Sequence, residues 1–223
     1  DSAYMVSQDS LFPIYDETCV MNVFPAPFYE DVDNDGRRDL IVAPNYPSLS
    51  ENKESLWFYK NTNTDASPIF NFQQTDLFQE HMLDFGEGAY PVPFDFDGDG
   101  LMDLIVANYG YYDESAVYPC RMAALRNIGT PTSPAFDLVN EDYMNLSTSG
   151  IGNAMYPAFG DIDGDGDKDL YIGDLNGKLH YFRNDPLGAV AQFSLIQPNV
   201  PNDLVVPIDV GQFATPQFFD VDA

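Results

Sequence analysis

The sequence predicts an all-β protein made of repeated four-stranded units. An aspartate-rich motif recurs at a near-constant interval, the segments that flank it recur as well, and no stretch has the periodicity of a long amphipathic helix. The chain has 223 residues, of which 44% are hydrophobic and 14% aromatic. This is enough apolar material for a sizeable core, so the composition excludes a disordered chain.

The acidic motif occurs three times in full. It reads DVDNDGRRDL at 31–40, DFDGDGLMDL at 95–104 and DIDGDGDKDL at 161–170, and a fourth copy begins with DVD at Asp220. The copies start about 60 residues apart, which is the size of one supersecondary repeat. We therefore expect repeats at approximately 20–80, 84–145 and 150–200 and a truncated repeat at 205–223, together forming a single domain, or a fragment of one, over 1–223.

Each repeat is predicted to contain four short strands. A proline and an aromatic residue precede the motif, and a β-favouring run follows it. A third run ends with Asn, and a fourth run, which begins with Pro in the first two repeats, completes the unit. The predicted strands are 27–29, 91–94 and 157–159 (first), 40–43, 104–107 and 170–173 (second), 56–61, 122–127 and 179–184 (third), and 68–72, 134–138 and 192–195 (fourth). An Asn176-Gly177 turn suits a tight hairpin between the second and third strands of the third repeat.

Longer insertions replace this hairpin in the first two repeats. They cover residues 45–55 and 108–121, and the second contains Tyr109, Tyr111, Tyr112 and Tyr118. Long loops on a rigid scaffold are where binding usually occurs, although these tyrosines could equally pack against a neighbouring unit.

The acidic motif has the residue types and spacing of a calcium loop. Calcium takes six to eight oxygen ligands, and carboxylates at loop positions one, three, five and nine can supply them if the chain curls, as glycine at position six allows. Position seven varies between Arg37, Leu101 and Asp167, so we expect its backbone carbonyl to be the ligand there. We call residues 31–39, 95–103 and 161–169 the first, second and third acidic loops. The predicted side-chain ligands of three calcium ions are Asp31, Asp33, Asp35 and Asp39; Asp95, Asp97, Asp99 and Asp103; and Asp161, Asp163, Asp165 and Asp169.

An EF-hand is excluded although it begins in the same way. It requires a bidentate Glu at position twelve and flanking helices, whereas Val42, Val106 and Ile172 occupy that position here. A single Asp-rich turn is often only a solvated loop, but three copies in register favour calcium. Magnesium fits less well, because it prefers a compact octahedron and retains its waters.

The repeat resembles the FG-GAP or VCBS repeat of integrin-α propellers and of bacterial secreted proteins. Phe159-Gly160 and Ala43-Pro44 keep parts of the name-giving motif, while Tyr29-Glu30 and Pro93-Phe94 depart from it. The stretch RNIGT at 126–130 is similar to repeats of secreted Bacteroidetes proteins, which implies export by a type IX secretion route. The resemblance implies a β-propeller of four-stranded blades with a calcium loop between the first and second strands. Since propellers close with four to eight blades, about three and a half repeats imply an incomplete ring.

Charge and chain start favour an extracellular protein. With 9 Lys and Arg against 36 Asp and Glu, the formal net charge is -27, which excludes nucleic acid and anionic membrane surfaces as partners. No apolar run reaches the roughly 20 residues of a membrane span. The start at Asp1 without Met leads us to expect a processed, secreted or cell-surface chain. Cys19 and Cys120 are too few for a disulfide scaffold, and if oxidised they would form one intramolecular bridge.

We expect a calcium-stabilised, non-catalytic module that binds a protein or glycan partner. Only His81 and His180 offer proton chemistry near neutral pH, and neither lies in a recognisable catalytic motif. The alternative is the propeller part of a carbohydrate-active enzyme, similar to polysaccharide lyases, or a lectin. Fold analogy alone does not decide between these functions.

Overall fold

The computed structural model describes residues 11–20, 26–43, 54–111 and 119–219, and every structural statement below refers to these residues. Contacts divide the chain into two compact units, residues 1–84 and 85–223. The predicted repeat boundaries remain a prediction.

The first unit contains a two-stranded ladder and one four-stranded antiparallel sheet. The ladder pairs β1 (Leu11–Phe12) with β2 (Cys19–Val20). The sheet consists of β3 (Ala26–Glu30), β4 (Asp39–Ala43), β5 (Trp57–Asn61) and β6 (Phe70–Gln74), in that spatial order.

The second unit contains two sheets of the same design. The strands of the first are β7 (Tyr90–Pro93), β8 (Leu104–Ala107), β9 (Met122–Asn127) and β10 (Phe136–Asn140). Those of the second are β11 (Tyr156–Gly160), β12 (Asp169–Gly173), β13 (Leu179–Asn184) and β14 (Phe193–Gln197). A 3₁₀ segment, Tyr143–Thr148, lies between the two sheets in the chain.

All three four-stranded sheets are antiparallel meanders in which spatial order follows chain order. Each has a register shift between its third and fourth strands, and each acidic loop joins its first strand to its second. The pairing of the first and second strands extends to the loop, since Glu30 lies opposite Asp39 and Gly160 lies opposite Asp169. The predicted all-β class and propeller-like four-stranded blades are thus confirmed. The short β1–β2 ladder and the 3₁₀ segment were not expected, because neither carries a periodic signal.

Apolar side chains of the second strands form the core of each unit. In the first unit, buried Leu40 and Val42 pack with Cys19, Tyr59 and Phe70. Alternate residues of a strand point to the same face of the sheet, so Leu40 and Val42 contribute to one apolar surface.

The two sheets of the second unit pack face to face. Leu170 and Ile172 of β12 join Ile105 of β8 in one cluster, and the ring of Phe94 stacks on that of Phe159 with centroids 4.1 Å apart. Each aromatic ring buries a large apolar area, so this stacked pair stabilises the contact between the two sheets.

A backbone hydrogen bond fixes the segment just before β11, and a corresponding bond fixes the segment after β14. Met155 N–H donates to the Asn108 carbonyl at 3.0 Å, and Ala214 N–H donates to the Asp174 carbonyl at 3.0 Å. The preceding residues, Ala154 and Phe213, both have left-handed φ angles, of 60° and 55°. The two junctions are therefore built alike, although their side chains differ.

Both cysteines are buried free thiols, so the expected bridge is not formed in this structure. Burial raises the pKa of Cys19 to about 11. The Cys120 thiol donates to the Gly152 carbonyl at 3.2 Å. Separately, the described residues contain no helix with the length and apolar character that crossing a bilayer requires.

Candidate metal centre

The three acidic loops share one backbone shape. Two loop positions adopt left-handed φ angles, which glycine and, less readily, asparagine tolerate. At position four these are Asn34 (58°), Gly98 (73°) and Gly164 (80°), and at position six Gly36 (86°), Gly100 (86°) and Gly166 (98°). The expected turn at position six is present, and position four adds a second reversal that curls the chain around one point.

Carboxylates brace the curled backbone by accepting its N–H groups. In the third loop, Gly166 N–H donates to Asp161 at 3.1 Å, Asp165 N–H donates to Asp163 at 3.3 Å, and Asp167 N–H donates to Asp165 at 3.0 Å. The first and second loops repeat all three bonds. The carboxylates therefore hold the curled loop through hydrogen bonds from its own backbone.

Three carboxylates converge in each loop, with oxygen atoms that all lie within 4.8 Å of one another. The convergent groups are Asp31, Asp33 and Asp39; Asp95, Asp97 and Asp99; and Asp161, Asp163 and Asp165. Two oxygens bound to one calcium ion at about 2.3 to 2.6 Å are at most about 5 Å apart, so these separations fit a single ion. A hard, all-oxygen donor set also fits calcium chemically.

The aspartate at position nine does more than the sequence indicated. Asp39, Asp103 and Asp169 are completely buried. Asp169 accepts hydrogen bonds from Ile162 N–H at 3.2 Å, Asn184 N–H at 2.8 Å and the Tyr181 hydroxyl at 3.2 Å. The backbone pair recurs at Asp39 and Asp103. This side chain therefore ties the start of each loop to the third strand.

Position seven contributes a backbone N–H to the loop in each copy. The N–H groups of Arg37 and Leu101 donate to the position-five carboxylates at 3.0 and 2.8 Å. The N–H group of Asp167 makes the same bond in the third loop. Coordination through the carbonyls of these residues remains a prediction.

Each third strand ends in a structural asparagine that was not predicted from the sequence. Asn127 is buried; its side-chain oxygen accepts Gly129 N–H at 3.0 Å and Ala135 N–H at 3.2 Å, and its amide donates to the Met102 carbonyl at 3.2 Å. Asn61 and Asn184 occupy the same place. The recurrence of Asn at the end of each third-strand segment was the available signal.

The residue before each of these asparagines is a cation. Lys60 Nζ forms ion pairs with Asp33 and with Asp35, the latter at 3.1 Å. Arg126 lies 2.7 Å from Asp97 and 3.7 Å from Asp99. These contacts were not predicted either, because a residue that recurs as Lys or Arg on a strand is usually only a solvated charge.

The pKa values of the loop carboxyl groups are shifted in opposite directions in different loops. Desolvation would raise the pKa of Asp35, but Lys60 and Arg37 outweigh it and hold this pKa below its ordinary value. Desolvation, and then the charge of Asp165, raise the pKa of Asp163. Burial likewise raises the pKa of Asp103, against the opposing effect of two backbone hydrogen bonds.

The other residues singled out in the sequence lie outside the acidic loops. His180 is buried on β13 with Nε2 3.2 Å from Asp174 Oδ2, and His81 lies in an exposed connection. The Arg121 guanidinium lies 5.0 Å from the centre of the Tyr111 ring. Residues 45–53 of the first insertion and 112–118 of the second, which include Tyr112 and Tyr118, fall outside the described residues.

Comparison with protein families finds one match. A family model described as FG-GAP-like repeat matches residues 31–106 and, in a second copy, residues 95–172. The two matches together run from the first acidic loop to the strand after the third and cover more than half of the chain. No curated protein and no solved structure matches the sequence.

Proposed function

The chain belongs to the FG-GAP-like repeat family, and from this premise we propose that it is a calcium-stabilised, non-catalytic propeller module of a secreted or cell-surface protein, which presents loops to a protein or glycan partner. The repeats and the propeller-like blades are features of the chain itself. Calcium, extracellular location and partner binding are the proposal.

One observation carries the calcium proposal: three carboxylates of each acidic loop converge to within 4.8 Å. Carboxylates this close repel one another and oppose folding unless a cation neutralises them. Concentrating them in three loops suits a chain with a net charge of -27, because bound divalent ions would remove part of that charge.

The residues that would hold each ion are the four aspartates predicted for each loop. Those whose oxygens converge are positions one, three and five in the second and third loops, and Asp31, Asp33 and Asp39 in the first. The ion would supply positive charge at the turn between the first and second strands. Exposed carboxylates on a short loop suit calcium better than magnesium, which demands a near-ideal octahedron. Affinities of extracellular calcium modules lie at about 10⁻⁴ to 10⁻³ M, a range consistent with the proposed location.

The acidic loops join first to second strands, whereas the insertions join second to third strands in the first two sheets. Successive connections of a meander lie at opposite ends of its strands. Calcium would therefore stiffen one end of each blade, and the insertions would present a binding surface at the other.

Thermal melting tests the calcium proposal. Calcium added to demetallated protein should raise the melting temperature by several degrees, because an ion that binds the folded state at 100 times its dissociation constant adds about 2.7 kcal/mol of stability. Magnesium at the same concentration should raise it less.

Two variants make that test specific. Asp163→Asn removes a convergent carboxylate and should reduce the calcium-induced rise. Asp137→Asn removes an exposed carboxylate of β10 and should leave the rise unchanged. Identical melting of the unaltered protein in calcium and in chelator would overturn the proposal.

Partner binding needs a separate test. Glycan arrays and pull-downs with the calcium-loaded protein should find a ligand, and turnover of acidic polysaccharides should be absent. Turnover above that of a heat-denatured control would favour the carbohydrate-active enzyme instead.

A further inference from the structure

We propose that the cation at the end of the third strand sets a different calcium affinity for each acidic loop, so that the third loop fills first, the second next and the first last. The three residues are Lys60, Arg126 and Arg183, which occupy the same place in β5, β9 and β13. The inference rests on the proposed function, since it concerns how the same loops are regulated.

In the first loop, two cations occupy the carboxylates. Lys60 Nζ contacts Asp33 and Asp35, and the Arg37 guanidinium pairs with Asp35. Correspondingly, Asp35 is not in the convergent group of its loop, where Asp39 takes its place. The position-five carboxylate is thus engaged by protein cations, and an ion would have to compete for it.

In the second loop, one cation lies against the site. Arg126 Nε is 2.7 Å from Asp97 Oδ2, and Nη2 is 3.7 Å from Asp99 Oδ2. Position seven is uncharged Leu101. All of positions one, three and five remain in the convergent group, so competition is weaker here than in the first loop.

In the third loop, the equivalent cation pairs with a carboxylate outside the loop, although the charge of Asp163 still acts on it. Arg183 lies with Nε 3.0 Å and Nη2 2.9 Å from Asp185. The reason is local, because Asp185 follows Asn184 where Thr62 and Ile128 follow the other two asparagines. Within the described chain, no Lys or Arg forms an ion pair with Asp161, Asp163 or Asp165. Positions seven and eight add Asp167 and Lys168, whose opposite charges offset one another. In the first loop both positions are arginines, and in the second both are uncharged.

Electrostatics then predicts the order of filling. A calcium ion entering the first or second loop must displace a protein cation or bind beside it, and both cost free energy. The repulsion between two like charges about 4 Å apart is modest in bulk water and several times larger near a protein surface. For a divalent ion, one such cation should weaken binding roughly tenfold after screening by salt.

The position-six glycine amides can report each loop separately. The N–H groups of Gly36, Gly100 and Gly166 donate to the position-one aspartates at 3.0, 2.9 and 3.1 Å. An ion that binds those carboxylates must perturb the amide resonances. Calcium titration of ¹⁵N-labelled, demetallated protein should shift the Gly166 resonance first, that of Gly100 next and that of Gly36 last.

Charge-removing variants test the cause. Lys60→Met and Arg126→Met keep an aliphatic stem and should tighten calcium binding about five- to tenfold, each at its own loop only. Arg183→Met is the matched control, since it removes the same charge from the same strand position. It should change the affinity of the third loop by less than about twofold.

A stability measurement separates this mechanism from a general loss of packing. In chelator, Lys60→Met and Arg126→Met should melt at a lower temperature than the unaltered protein, because they leave carboxylate repulsion uncompensated. Their calcium-induced rise should be larger. A variant that merely packs poorly would not show this opposite pair of changes.

The outcomes distinguish the two proposals. If none of the three glycine resonances responds to calcium, the proposed function itself fails. If calcium binds with equal affinity at all three loops, or if the Lys60 and Arg126 variants behave as Arg183→Met does, the proposed function stands and the ordering mechanism is overturned.

Discussion

The first and third acidic loops have the same backbone and opposite electrostatic surroundings. Both have left-handed residues at positions four and six and a buried aspartate at position nine. Yet protein cations lower the pKa of Asp35 in the first loop, whereas desolvation and neighbouring charge raise that of Asp163 in the third. Loop shape and loop charge are therefore set by different residues and can be changed separately.

The shared frame is tested by removing the position-nine carboxylate from each loop. Asp39→Ala and Asp169→Ala should each cost about 2 to 4 kcal/mol of unfolding free energy in chelator, because each leaves one buried and one partly buried backbone N–H group without an acceptor. Denaturant unfolding measures the loss. If either variant were as stable as Asp137→Ala, the frame would not depend on this residue.

The second loop sharpens the comparison at position four. A Cβ at Gly98 would lie 2.3 Å from the Ala189 carbonyl oxygen, whereas one at Gly164 would meet nothing within 4 Å. Both positions have left-handed φ angles, so Gly164→Ala should cost about 1 kcal/mol. Gly98→Ala should cost about 2 to 4 kcal/mol, because it adds a clash with backbone. Equal losses in chemical denaturation would contradict this distinction.

The effect of loop charge on calcium affinity is tested by exchanging the charge at position seven. Asp167→Arg should weaken calcium binding at the third loop, and Arg37→Asp should strengthen it at the first, each by about three- to tenfold. The predicted ligand there is a backbone carbonyl, so the side chain can change without removing a ligand. Site-resolved titration measures the affinities, and Leu101→Asn, which is uncharged, serves as the control.

The smallest expected effect is that of Asp163→Ala without calcium. Its raised pKa means that the neutral form is favoured in the folded state. The resulting stability is fully present below the unfolded-state pKa and is lost as pH rises through the folded-state pKa. Removing the carboxylate should therefore leave the melting temperature in chelator at pH 7 unchanged or slightly higher. A clear fall would show that Asp163 stabilises the ion-free loop.

The sequence predicted the parts of this fold that depend on neighbouring residues. Loop positions one, three and five, the turn at Gly36 and the strand that follows each loop are local features, so spacing alone identified them. The hairpin at Asn176-Gly177 is of the same kind, and Gly177 indeed has a left-handed φ of 74°.

Features that depend on distant partners could not be predicted in this way. The oxygens of Asp169 are used by Asn184 and Tyr181, which reach it only because β12 and β13 pair. Whether the cation at the end of a third strand contacts its loop depends on its rotamer. The Arg183 side chain instead pairs with Asp185, two residues further along the chain. Lys60 and Arg183 look equivalent in the sequence, yet they are not equivalent in the structure.

Calorimetric titration of the demetallated protein with calcium tests the central claim most directly. We expect uptake of three ions, reversal by chelator, and loss of one ion when Asp161 and Asp163 are both replaced by Asn. Asp137→Asn should leave the uptake at three. A titration without calcium uptake, or uptake that survives Asn replacement of positions one and three in every loop, would contradict the assignment of these loops as calcium sites.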